Sequence, residues 1–149
     1  MTADERIFVL QAGEGRPTKI PTATIQFKTL GEDTDNRFTL LEYKGMRVPK
    51  HIHTKEDENI YVLDGEIDVL LGEKTYKLTP GMFLFMPMNV PHSLFPVEGI
   101  EATLLSVSAP SGFEFWAQAV FDAIGKGLDP WTAPELEEAR KKAGWIPDF

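Results

Sequence analysis

The stretch PKHIHTKEDENIYVLDGE, residues 49–66, contains two of the three histidines of the chain, His51 and His53, separated by one residue. Side chains two positions apart project to the same face of an extended strand. An acidic run follows and ends at Glu58, before a strand-like segment and an Asp-Gly pair. The pattern places two imidazoles and a carboxylate close together, so we ask whether they bind a metal ion.

The phase of the strand after the acidic run decides where Glu58 points. Asp64-Gly65 is a strong signal for a two-residue turn, which predicts a hairpin with Val62 opposite Ile67. The inward face of that hairpin carries Glu58, Ile60, Val62, Ile67, Val69 and Leu71. An inward carboxylate among aliphatic side chains is costly unless it is paired or bound. We expect the preceding Glu56 and Asp57 to lie in a solvated turn.

The third histidine completes a candidate ligand set. His92, in FMPMNVPHSLF, follows a hydrophobic strand and a turn with proline and asparagine, which is placed to return to the same interior. An isolated His-x-His pair is more typical of exposed or hydrogen-bonded strand histidines than of ligands. Three imidazoles with one carboxylate, however, form a set that suits a divalent transition metal. The candidate ligands are therefore His51, His53, Glu58 and His92.

The spacing of these residues resembles the two sequence motifs of the cupin superfamily over residues 36–108. The first motif is matched at every marked position, by Gly45, His51, His53, Glu58 and Gly65. The second is similar at Gly81, Pro87 and His92. Two positions depart from it: Asn89 stands where the family usually has glycine, and Pro96 where it often has asparagine. Asparagine tolerates left-handed backbone better than most residues, so the first departure is mild.

The resemblance implies an all-β fold, a double-stranded β-helix or jelly-roll barrel with C-terminal helices. It implies one cupin domain over residues 1–149, with a barrel core at about 22–108, and a homodimer. It also implies one divalent metal ion, Fe, Mn, Ni, Co, Cu or Zn, bound by the four candidate ligands. Four ligands leave open positions in an octahedron for a small-molecule substrate.

Within the superfamily, HIHTKEDENIYVLDGE and the later SAPSGFEFWAQAV most resemble quercetin-dioxygenase-type proteins. This implies a metal-dependent dioxygenase of a small aromatic or enolic substrate, in which Glu58 is both a ligand and the catalytic general base. Two alternatives remain open: a non-oxidative isomerase, cyclase or lyase, and a small-ligand-binding protein without catalysis. Candidate substrate-binding residues are Arg47, Phe85, Met86 and Phe95, although a surface ion pair is the ordinary role for Arg47.

The C-terminal part of the chain changes to a helical pattern over residues 111–143. Apolar residues recur at helical spacing, at Phe113, Trp116, Ala117, Val120, Phe121 and Ile124. Ser111 with Glu114, and Thr132 with Glu135, are spaced as capping boxes, the second before a helix at about 134–143. We expect the first helix to cover the barrel core as a lid.

Composition excludes several other classes of function. The formal net charge is −8 with no useful lysine or arginine cluster, which argues against nucleic-acid binding. The chain has no cysteine, so thiolate ligands and disulfides are excluded. No apolar stretch approaches the roughly 18 residues of a membrane span. The apolar run Ile7 to Leu10 is too short for a signal peptide, so a cytoplasmic location is the expectation.

Overall fold

The computed structural model describes residues 2–21 and 24–149. Within these ranges two five-stranded antiparallel sheets pack face to face, with the orders β1-β2-β9-β4-β7 and β10-β3-β8-β5-β6. The strands are β1 (Ile25–Thr29), β2 (Thr39–Lys44), β3 (Val48–His53), β4 (Asp57–Asp64), β5 (Ile67–Leu71), β6 (Lys74–Leu78), β7 (Phe83–Met86), β8 (His92–Pro96), β9 (Thr103–Ala109) and β10 (Trp145–Pro147). The all-β jelly-roll prediction is confirmed. Residues 22 and 23, at the predicted start of the barrel core, lie outside the described residues.

The predicted hairpin at Asp64-Gly65 is wrong. β4 pairs with β7 and β9 in the first sheet, whereas β5 pairs with β6 and β8 in the second, so Gly65 carries the chain from one sheet to the other. The predicted inward face is nevertheless correct, because the inner faces of both sheets point into the same interior. Ile60, Val62, Ile67 and Val69 are fully buried, and only Leu71 is half-buried.

The apolar core of the barrel begins next to Glu58, at the following inward positions of β4. The inward positions of β4 run from Glu58 to Ile60 and Val62, and the last two belong to the main apolar cluster. Its other buried members are Ile67, Val69, Leu78, Met86, Leu94, Ala102 and Leu104. Burial of this apolar surface at roughly 25 cal/mol per Å² is the main term that holds the two sheets together.

The C-terminal part forms two α-helices, α1 (Phe113–Gly125) and α2 (Glu137–Ala143), with a 3₁₀ turn at Pro134–Leu136. The chain then returns to the barrel as β10, which pairs with β3 so that Trp145 lies opposite His53. Sequence reasoning missed this strand, because three residues that include a proline carry no alternating pattern. No helix in the described part of the chain is long and apolar enough to cross a membrane.

Neither predicted capping box is present. Gly112 precedes α1, and the Glu114 carboxylate instead accepts hydrogen bonds from the Gly31 N–H at 2.7 Å and the Thr39 hydroxyl at 2.5 Å. Glu114 therefore fastens the first turn of α1 to the barrel. Asp129 accepts the N–H groups of Trp131 and Thr132 ahead of the second helix. Ile124, predicted on the buried face of α1, is 45% exposed.

A pair of glycine substitutions separates backbone strain from steric contact at the sheet crossing. Gly65 (φ +72°) and Gly72 (φ +61°) both have left-handed backbone, but a Cβ at Gly65 would overlap the Glu101 carbonyl oxygen, whereas a Cβ at Gly72 meets open space. We expect Gly72→Ala to lower the free energy of unfolding by about 1 kcal/mol. We expect Gly65→Ala to lower it by about 1–3 kcal/mol more. Urea unfolding of both variants measures the difference, and equal losses would contradict the crossing geometry.

Candidate metal centre

The four candidate ligands come from three strands and meet at one end of the barrel interior. His51 and His53 lie on β3, His92 lies directly opposite His51 on β8, and Glu58 begins the inward row of β4. All four are buried, with at most 7% exposure. One ligand atom from each lies within 4.8 Å of the others. The structure thus brings together the whole set that the sequence predicted.

Hydrogen bonds fix the orientation of each imidazole. His51 Nδ1 lies 2.7 Å from the Pro49 carbonyl oxygen, and His92 Nδ1 lies 3.1 Å from that of Val90. A carbonyl oxygen can only accept, so Nδ1 is the protonated nitrogen in both rings. His53 Nδ1 lies 2.7 Å from the Glu56 carboxylate. Each ring therefore presents Nε2 to the centre of the cluster.

The inward nitrogen atoms need a cation between them. His51 Nε2 lies 3.0 Å from His53 Nε2, and both His53 Nε2 and His92 Nε2 lie within 3.2 Å of Glu58 Oε2. When Nδ1 carries the proton, Nε2 has only a lone pair, so the lone pairs of these groups point at one another. Such an arrangement is satisfied by extra protons or by a metal ion. Three imidazole nitrogens and one carboxylate oxygen are ligands that a divalent transition metal accepts, so the cluster fits a metal site.

The pKa values of the cluster show where extra protons lie when no metal is bound. Burial would lower the pKa of His53, but its hydrogen bonds to Glu56 and Glu58 raise it to about 9. Burial, and then the neighbouring His92 and His53, lower the pKa of His51 to about 3. Burial would raise the pKa of Glu58, but hydrogen bonds from His53 and His92 hold it well below its ordinary value. The metal-free site therefore holds a protonated His53 beside an ionised Glu58.

Glu56 belongs to the candidate site, which the sequence alone did not predict. It was expected in a solvated turn, but its side chain is 6% exposed and accepts the His53 Nδ1 hydrogen bond. Carboxylates that bind the outer nitrogen of a ligating histidine fix its tautomer and raise its basicity. Its neighbour Asp57 is also paired, accepting the Met88 N–H at 2.8 Å. Strand parity is the signal that was available, because Glu56 lies two positions before the inward Glu58.

A cavity of about 70 Å³ lies between the cluster and α1. Its walls include all three tryptophans of the chain, Trp116, Trp131 and Trp145. The Trp145 ring stacks on His51, with centroids 4.9 Å apart, and on Trp116, with centroids 5.0 Å apart. The lid expected from the helical pattern therefore supplies the aromatic wall of the cavity, and β10 places that wall against a ligand.

The other candidate substrate residues lie elsewhere. Arg47 is exposed and lies over the Phe95 ring, with its guanidinium carbon 5.4 Å from the ring centroid. Phe85 is 49% exposed on the outer face of β7, and Met86 is packed in the barrel core. None of Arg47, Phe85, Met86 and Phe95 is among the residues that line the cavity. The cavity is lined instead by other residues of β1, β2, β3, β4, β8 and β9, together with α1 and the tail.

Comparison with known proteins agrees with this geometry. The sequence profile of a family described as "Cupin domain" matches residues 38–108, which contain every candidate ligand. Residues 38–108 of this chain therefore match a cupin domain, as the motif resemblance implied. The departure of the second cupin motif at Asn89 is accommodated as expected, because Asn89 has left-handed backbone (φ +68°) and its N–H donates to the His53 carbonyl at 2.8 Å.

Relatives of known or assigned activity differ in chemistry. Quercetin 2,3-dioxygenase from Bacillus subtilis (strain 168) is 27% identical over 110 residues, which are 72% of this chain and 32% of that protein. This chain therefore spans about a third of the length of that curated relative. The polyketide cyclase RemF from Streptomyces resistomycificus is 26% identical, with a TM-score of 0.52 over 58% of this chain and 64% of that one. A predicted oxalate decarboxylase from Thermotoga maritima, at 22% identity, covers 58% of this chain and 78% of its own, with a TM-score of 0.54, and shows the fold alone.

Removal of the Glu56 carboxylate tests whether it supports His53 as a metal ligand. We expect Glu56→Gln to keep the fold and to weaken metal binding about 10-fold to 100-fold, because an amide neither fixes nor polarises the imidazole as a carboxylate does. Competition with a chromogenic chelator measures the affinity. Glu73→Gln, which changes an exposed carboxylate, is the matched control and should bind metal like the wild type. Equal affinity of both variants would show that Glu56 does not support His53.

Metal binding should also release a proton at neutral pH. His53, with a pKa of about 9, carries a second proton at pH 7, whereas His51, with a pKa of about 3, does not. A metal needs the Nε2 lone pair of His53, so we expect about one proton to leave per ion bound. The apparent affinity should rise about tenfold per pH unit from pH 7 and level off near pH 9. Calorimetry in buffers of different ionisation enthalpy counts the proton, and a count of zero would contradict this protonation state.

Proposed function

We propose that this chain is a metal-dependent dioxygenase of a small aromatic or enolic substrate. The observation that carries the proposal is the buried ligand set of three histidines and Glu58, which opens directly onto a cavity walled by tryptophan. The similarity to quercetin 2,3-dioxygenase over 72% of the chain supports the oxidative reading. A bound transition metal would supply Lewis acidity and redox chemistry at the positions that the four ligands leave open.

Glu58 is the residue placed to move a proton. Its pKa is held low by the histidines, so at neutral pH the carboxylate is ionised and able to accept a proton from an enol or hydroxyl group. Its side chain lines the cavity as well as facing His53 and His92. A substrate hydroxyl in the cavity would therefore meet the base without any rearrangement of the strand that carries it.

The aromatic wall keeps water away from the reacting groups. Trp145 covers one face of His51, and residues of α1 including Phe113 and Trp116 close the cavity from outside the barrel. Exclusion of water strengthens electrostatic interactions in the site and protects reactive species from hydrolysis. The C-terminal segment thus has a role in chemistry as well as in covering the core.

A second candidate function is a non-oxidative proton-transfer reaction, such as cyclisation or isomerisation. The polyketide cyclase RemF, at 26% identity, favours it. The same carboxylate would remove a proton from an enolisable carbonyl compound without any need for dioxygen.

The homodimer implied by the family resemblance remains a prediction.

Oxygen consumption distinguishes the two candidates. Protein reconstituted with Fe²⁺, Mn²⁺, Ni²⁺ or Co²⁺ is mixed with enediols, catechols and flavonols in an oxygen electrode, and product is also sought under strict anaerobiosis. We expect oxygen uptake with at least one substrate, lost in His53→Ala and Glu58→Gln and kept in the control Glu73→Gln. Turnover without oxygen would support proton-transfer chemistry instead. Full activity of His53→Ala would refute the metal centre as the site of reaction.

A further inference from the structure

Among the described residues, no lysine or arginine side chain lines the cavity beside the cluster, and a metal-bound His53 is neutral. The polar residues that line the cavity are Tyr43, His51, His53, Glu58 and Ser106. The remaining walls are aliphatic, thioether or aromatic. A substrate carboxylate that entered this space would have only the metal to balance its charge.

The charge of a divalent ion on the cluster would be balanced by two carboxylates, Glu58 as a ligand and Glu56 behind His53. A dianionic ligand would add uncompensated negative charge to a buried apolar space, which is strongly unfavourable. An uncharged substrate that passes its proton to Glu58 keeps the site neutral. The balance therefore favours a substrate that enters without charge.

Two hydroxyl groups face the histidines across the cavity. Tyr43 on β2 and Ser106 on β9 belong to the first sheet, as does Glu58 on β4, whereas the three histidines lie on β3 and β8 of the second. None of the described residues forms a hydrogen bond with either hydroxyl. Burial, and then the Glu58 carboxylate, raise the pKa of Tyr43 well above its ordinary value, so its phenol keeps a proton to donate. Unpaired hydroxyl groups in an apolar wall are costly unless a ligand uses them.

We propose that Tyr43 and Ser106 form an oxygen-binding subsite that selects a small, uncharged substrate bearing enol, carbonyl or hydroxyl oxygens. The Tyr43 hydroxyl donates to a substrate oxygen on the side of the cavity away from the histidines, and Ser106 donates to the same oxygen or its neighbour. This proposal rests on the proposed function only in taking the cavity beside the metal ligands as the substrate site.

The size of the cavity narrows the substrate class further. A volume of about 70 Å³ has room for about five or six water-sized groups, and it is about half of the roughly 150 Å³ that accommodates benzene in a dry protein cavity. A small acyclic enol or β-dicarbonyl compound is therefore closer to the size of this space than a flavonol is.

A pair of chelators of matched size tests the subsite without relying on turnover. Acetylacetone is an uncharged β-diketone, and malonate is a dianion with the same number of non-hydrogen atoms. Each is titrated into protein loaded with redox-inactive Zn²⁺, by calorimetry and by tryptophan fluorescence, because all three tryptophans line the cavity. Zinc content is measured before and after titration. We expect acetylacetone to bind at least tenfold more tightly than malonate.

Substitution of the hydroxyl groups assigns the effect. Tyr43→Phe and Ser106→Ala should each raise the Kd of acetylacetone about tenfold at unchanged zinc content, the loss expected for one buried hydrogen bond. Tyr61→Phe removes a hydroxyl from a partly exposed tyrosine outside the cavity and is the matched control. Ser106→Ala removes only one hydroxyl group, so this variant still tests the subsite if Tyr43→Phe does not fold.

Three results would overturn the subsite: wild-type affinity of both variants, tighter binding of malonate than of acetylacetone, or failure of the protein to bind zinc. Absence of oxygen uptake with tight, Tyr43-dependent binding of acetylacetone would instead refute the dioxygenase and support the subsite. The two proposals therefore fail in distinguishable ways.

Discussion

The mutual orientation of the three imidazoles is the constraint on which the rest of this structure depends. Each Nδ1 hydrogen is committed to an acceptor outside the cluster, so every Nε2 points inward at its neighbours and at Glu58. Lone pairs that face one another in this way are satisfied by an added proton, as on His53, or by a metal ion. Burial makes the conflict worse, because it removes the water that would otherwise solvate these groups. A fold that holds these groups together therefore favours the binding of a metal ion.

The C-terminal tail connects this cluster to the aromatic lid. β10 pairs with β3, and both the backbone N–H and the hydroxyl of Thr54 donate to the Gly144 carbonyl at 2.9 Å. The ligand strand and the tail therefore share a ladder of backbone hydrogen bonds, which holds Trp145 flat against His51. Glu114 anchors the other end of the segment to the barrel. Movement of the lid to admit a larger substrate would act on the ligand strand itself.

The sequence was sufficient for the features that depend on short-range periodicity. Strand alternation correctly predicted that Glu58 points inward, although the predicted hairpin was wrong. The alternation still holds because the inner faces of both sheets point into the same interior. It did not give the pairing of β4 with β7 and β9, because strand partners are set by the whole topology. The same alternation of inward and outward side chains indicates that Glu56 and Tyr43 point inward. It does not reveal that Glu56 contacts His53, or that the Tyr43 hydroxyl has no hydrogen-bond partner among the described residues.

The chemistry of the cavity follows from which polar groups the barrel leaves uncommitted. Among the described residues, the buried carboxylates Glu56 and Glu58 face histidine, whereas the Tyr43 and Ser106 hydroxyl groups face open space. The carboxylate acceptors are therefore committed to histidine, whereas these two hydroxyl groups, on the same sheet as Glu58, are left to donate. A substrate with an acidic hydroxyl and a carbonyl oxygen can pass a proton to Glu58 and accept these hydrogen bonds without carrying charge into an apolar pocket. The pocket thus selects a substrate by its charge and its hydrogen-bonding groups as much as by its shape. This selection suits a reaction that begins with proton transfer to Glu58.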